Sequence, residues 1–97
     1  MDEQYKTYLE FHKSNWYAYW DTDSAPVRNR QELLAWHIDI HEHGMEFGYK
    51  PVKELVSSGE FVKKVMTIDK CITESDALDL QAAAICFING VEGKYPV

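Results

Sequence analysis

At 97 residues the chain has the length of one domain, and its 45% hydrophobic content, with three Trp, six Tyr and four Phe, excludes an intrinsically disordered chain. A net charge of −6 disfavours direct contact with phosphate backbones and favours encounter with a basic protein surface. No apolar run approaches the ~20 residues that span a bilayer, and Met1-Asp2-Glu3-Gln4 lacks the basic and apolar regions of a signal peptide. A cytoplasmic protein without membrane contact is therefore expected, with Cys71 and Cys86 as free thiols.

The charge is unevenly distributed. Residues 1–49 hold nine acids and four bases, and residues 73–97 hold four acids and one base. Between them, residues 50–72 hold three acids and five bases, namely Lys50, Lys53, Lys63, Lys64 and Lys70. The expected order is therefore acidic, weakly basic, acidic.

From Gln4 to Trp20 the periodicity predicts a helix. Tyr5, Tyr8, Leu9, His12, Trp16, Tyr19 and Trp20 recur at the i, i+3, i+4, i+7 spacing of a core-facing stripe. Asp21-Thr-Asp-Ser-Ala-Pro26 reads as a turn, because Pro26 bars a continuous helix. Asn29 and Glu32 have the spacing of an N-cap and its carboxylate, opening a second helix to about Phe47. Leu33, Leu34, Trp36, Ile38, Ile40, Met45 and Phe47 form its apolar arc, with Gly44 as an interior weak point costing about 1 kcal/mol. Gly48 reads as its C′ residue.

Pro51 suits the first turn of a short helix, residues 52–57, ended by Gly59. Phe61, Val62, Val65 and Met66 predict another short helix. The β-compatible runs 65–68 and 71–72 leave a short strand pair open. Thr73 and Asp76 then form a capping box for a third main helix, from 73 to 91. Its second half is apolar on every side, which predicts burial all round. Ala82, Ala83 and Ala84 allow close helix approach, Gly90 or Gly93 supplies the stop, and Pro96 forbids more helix. The expected fold is all-α: residues 1–97 as a single domain, with three main helices and one or two short ones around the C-terminal helix.

Four groups of residues bear on function. The acidic residues Glu32, Asp39, Glu42 and Glu46 share the outer arc of the second helix and form the expected partner-binding face. Phe11 and Tyr17 lie off the apolar arc of the first helix, where exposed aromatics act as interface anchors; equally, the tail Tyr95-Pro96-Val97 could cover them. His12, His37 and His41 fall on core-facing positions of two adjacent helices, with His37 and His41 one turn apart. They define an alternative His₃ metal or ligand site, against the simpler reading of buried, hydrogen-bonded histidines whose neutral form makes the fold acid-sensitive. Lys50 to Lys70 allow a second alternative, a helix-turn-helix DNA-binding regulator, although Glu60, Phe61 and Val62 stand where base-reading side chains are wanted.

No catalytic residue is expected. There is no Gly elbow at Ser57 or Ser58, no P-loop, and no His-Glu-x-x-His motif. No cofactor is expected either. The remaining expectation is a small acidic protein-binding module directed at a basic or nucleic-acid-handling partner, without direct nucleic-acid contact. Inhibitors, immunity proteins, antitoxins and phage-encoded anti-defence proteins such as anti-CRISPR proteins have this general character. The aromatic stripe is wide for so small a chain, which also allows a homodimer.

Overall fold

Five helices are present in the computed structural model, which describes residues 3–20 and 30–93, with only the backbone for 14–20 and 30–33. They are α1 (Glu3–Trp20), α2 (Arg30–Glu42), α3 (Tyr49–Ser58), α4 (Phe61–Ile68) and α5 (Glu74–Val91). The all-α class follows, with three longer helices and two short ones. The expectations for the side chains of Trp16, Tyr17, Tyr19, Trp20 and Leu33, the turn at 21–26, the Asn29–Glu32 cap and the tail at 95–97 lie outside the described residues.

Helix α5 is the centre of the packing and touches α1, α3 and α4. It begins as its capping sequence requires, with the Thr73 hydroxyl accepting the Asp76 N–H at 3.1 Å. Ala77, Leu80, Ala83, Ala84, Phe87 and Ile88 are buried along one face, and the small alanines let the neighbouring helices approach. Complete burial does not occur, however. Leu78 is 46% exposed and Val91 50%, with Ala82 and Ile85 also exposed. A domain with a radius of gyration of 12.3 Å has too few layers to enclose a helix on all sides.

The second helix is shorter than its periodicity predicts. It stops at Glu42, and Gly44 takes φ +110°, a left-handed backbone that a side chain disfavours. The Gly44 N–H donates to the His41 carbonyl and the Met45 N–H to the Ile40 carbonyl, each at 3.1 Å. This is a Schellman closure, with Ile40 and Met45 both buried beneath it. Met45 and Phe47 then point inward and Glu46 outward, so strand-like alternation replaces the helical period. Gly48 is accordingly the N-cap of α3, not the end of α2. A Cβ there would lie 2.4 Å from the Gln4 Oε1, so the start of α3 is tight against α1.

The glycine at 59 repeats the device at the end of α3, with φ +78°, and a two-residue connection leads into α4. Phe61 and Val65 are buried, and residues 65–68 belong to this helix. The strand pair left open by propensity is therefore not formed, because the helical spacing of 61, 65 and 68 lets these side chains reach the core together. At the far end, the Tyr49 hydroxyl donates to the Glu92 carboxylate at 2.8 Å. Lys53 donates to the same oxygen, tying α3 to the end of α5. Among the described residues, no helix is long and apolar enough to cross a membrane, and Cys71 and Cys86 are unpaired.

Candidate functional site

Helix α2 presents two faces with different chemistry. Its inner side carries His37 and Ile40, both fully buried. The outer side carries Ala35, Ile38, Asp39 and Glu42, all exposed. Ile38, 42% exposed, belongs to the solvent face and not to the core-facing arc expected of it. The α4–α5 loop comes alongside and adds Asp69. Together Ala35, Trp36, Ile38, Asp39, Glu42 and Asp69 line a surface cleft of about 580 Å³. Its apolar lining comes from one turn of α2, and its three carboxylates come from two separate elements.

One of these carboxylates is held by a hydrogen bond, and another has a histidine beside it. The Asp69 Oδ1 accepts the Cys71 N–H at 2.9 Å. His43 donates from Nδ1 to the Asp39 carbonyl at 2.8 Å, and the same nitrogen lies 3.5 Å from the Asp39 carboxylate. The Asp39 carbonyl first, and its carboxylate second, push the exposed His43 above its ordinary pKa.

The acidic stripe expected on α2 is divided. Asp39 and Glu42 share the cleft, whereas Glu46 sits beyond the Schellman closure in another depression, with Glu54, Glu60 and Lys64. The side chain of Glu32 lies outside the described residues. Asp69 is remote in sequence and reaches α2 only through tertiary packing, so no local pattern groups it with Asp39 and Glu42. Phe11 is half-buried and docks on α5, edge to face with Phe87 at 5.5 Å. A Cβ on Gly90 would fall 2.5 Å from its ring, so Phe11 is largely committed to the fold. Tyr17, its companion anchor, lies outside the side chains described.

The histidines also divide. His12 and His37 meet inside the core with ring centroids 5.1 Å apart and planes perpendicular. His37 stacks on Phe47 at 5.4 Å, with Tyr8 5.1 Å away. Neither ring nitrogen of His37 has a hydrogen-bond partner among the described residues. Burial lowers its pKa to about 3, and His12 is held well below its ordinary value by burial first and by His37 second.

His41, one turn on, takes a different environment. It stacks on Tyr5 at 3.6 Å, and its Nδ1 donates to the Met45 carbonyl at 3.0 Å. The chain reversal at Gly44 brings that carbonyl back to the histidine. No three or more His, Cys, Asp or Glu side chains among the described residues are arranged to hold a metal ion. The alternative His12–His37–His41 grouping is thus not among such arrangements in the described residues.

The five lysines from Lys50 to Lys70 are exposed, and α3 and α4 adjoin as a helix pair. Lys53 is engaged by Glu92, and Lys64 shares its depression with three glutamates, which dilutes the basic character of this segment. No protein-family model, curated protein or solved structure matches the chain.

Proposed function

We propose that this protein is a small acidic protein-binding module, of the inhibitor, immunity or antitoxin kind to which phage-encoded anti-defence proteins such as anti-CRISPR proteins belong. It acts by occupying a basic surface of a partner, not by catalysis or by contact with nucleic acid. The observation that carries this reading is the exposed pair Asp39 and Glu42 on the outer face of α2, joined by Asp69 from another element and flanked by the exposed Ala35 and Ile38. A net charge of −6 supports it by favouring encounter with a cationic surface. Among the elements described, this face also combines charge with exposed apolar area, the composition of an interface with a polar rim.

The test is an affinity pull-down of the tagged protein from bacterial lysate, at low salt and at ~0.5 M salt, where exposed charge is largely screened. A stoichiometric basic partner is expected at low salt. It should be lost at high salt and with the double variant Asp39→Lys/Glu42→Lys, whose helical circular dichroism should match the parent. Partner retention that is indifferent to both salt and charge reversal would overturn the reading.

A further inference from the structure

We infer that the seam between α1 and α2 is an acid-operated latch, in which a proton on His37 releases α2 while α1, α3, α4 and α5 stay packed together. The seam is built largely from imidazole and phenol rings. Tyr5, Tyr8 and His12 of α1 meet His37 and His41 of α2. His37 is fully buried there, and neither of its ring nitrogens has a hydrogen-bond partner among the described residues. A buried charge needs a partner or water, so a closed seam excludes the imidazolium. Tyr8 and His12 face His37 from α1, Phe47 faces it from the segment after Gly44, and His41 stands one turn along α2. These neighbours are rings, not carboxylates. Phe87 of α5 lies against Tyr8 and His12. The buried Asp79 of α5 stands more than two turns before Phe87, about 12 Å along the helix. Glu42 acts on Tyr5, and Glu10, Lys13 and Asp39 are exposed.

Helix α2 is the element able to respond. Among the described residues it packs chiefly on α1, whereas α5 holds α1, α3 and α4. Phe11 against Phe87 keeps α1 on α5, and Tyr49 and Lys53 hold α3 to Glu92. None of those contacts involves His37. Once released, α2 is 13 residues long, and helices of ~12–15 residues are marginal in water without tertiary packing. Its backbone hydrogen bonds therefore open with it. Burial holds His37 at a pKa of about 3 in the closed form, against roughly 6.5 once exposed. Below about pH 6.5 the open form therefore takes up a proton that the closed form refuses, and its population rises about thirtyfold between pH 7.5 and pH 5. Exposing the buried Ile40 opposes the opening, so the open form stays a minor species that amide exchange can read. Asp39 and Glu42 ride on the same helix, so the face proposed above loses its scaffold when the seam opens, but the latch itself does not depend on that reading.

The test is native-state hydrogen exchange of the intact protein, followed by NMR at about pH 7.5 and about pH 5 over a series of low urea concentrations. Rates are corrected for the chemical exchange at each pH. The amides of Ile40 and His41 in α2 are expected to open in a step of their own. That step should be more populated, and less sensitive to urea, than the one that exposes Ala83 and Ala84 in α5. Its population should rise about thirtyfold or more at the lower pH. His37→Phe, whose ring keeps the shape of the stack on Phe47, should remove about thirtyfold of that rise. Should the variant not fold, exchange in the parent protein alone decides. Exchange of α2 and α5 in one common global step at both pH values would overturn the latch. A separate α2 step with the same population at both would overturn it equally.

Discussion

Acidification tests the placement of the histidine pair most directly. His37 is completely enclosed, and burial holds its pKa at about 3, against roughly 6.5 in an unfolded chain. Because the folded value is the lower one, both states are neutral above about pH 6.5 and stability there is complete. Below that, the unfolded chain binds a proton that the folded chain refuses, and stability falls until the pH nears 3. At 1.36 kcal/mol per unit, a drop to pH 5 costs about 2 kcal/mol from His37 alone.

His12 adds a loss of the same sign, since burial and its neighbour lower it too. His43 is shifted upward and works in the opposite sense, but it is fully exposed. Against a total stability of ~5–15 kcal/mol, the loss is readily resolved. The assay is urea unfolding followed by far-ultraviolet circular dichroism, at about pH 7.5 and about pH 5, for the parent and for His37→Phe. The phenyl ring replaces an imidazole that already stacks on Phe47, and it removes two nitrogens without partners among the described residues. The variant should lose about 2 kcal/mol less than the parent over this interval. Equal losses in the two proteins would refute the claim that His37 is held neutral in the core.

Two further substitutions probe the packing around α5. Gly90→Ala should raise helix propensity by about 1 kcal/mol, yet the added carbon would fall 2.5 Å from the Phe11 ring. Overpacking of this kind costs about 1–3 kcal/mol, so a lower melting temperature is expected, with partial recovery in Phe11→Leu/Gly90→Ala. Thr73→Ala removes the acceptor of the Asp76 N–H and should cost about 1 kcal/mol in chemical denaturation; an unchanged midpoint would mean that the cap contributes nothing.

Much of this architecture was legible along the chain because it depends on local physics. The stripe of Tyr5, Tyr8, Leu9 and His12 does face the core, since helical periodicity alone places those side chains on one side. Thr73 caps α5 and Gly59 closes α3, because caps and left-handed turns demand particular residue types. The length of α2 is not legible in the sequence for a related reason. Met45 and Phe47 fit a helical arc as well as an alternating extended segment, and a glycine fits both a helix interior, at a modest propensity cost, and the point of chain reversal that Gly44 is.

By itself, the sequence determined the helical class, the order of the helices and most of the residues that the core would claim, because each follows from short-range spacing. Only the tertiary structure decided which chemistry would be assembled. It gave His41 the ring of Tyr5 and the carbonyl of Met45 as neighbours while His12 and His37 met in the core, and by turning the chain at Gly44 it moved Glu46 away from Asp39 and Glu42. It also brought Asp69 to α2 and committed Phe11 to the surface of α5. Such groupings join residues far apart in the chain, or divide near neighbours, and they depend on how whole helices pack. No local pattern of residues encodes that arrangement.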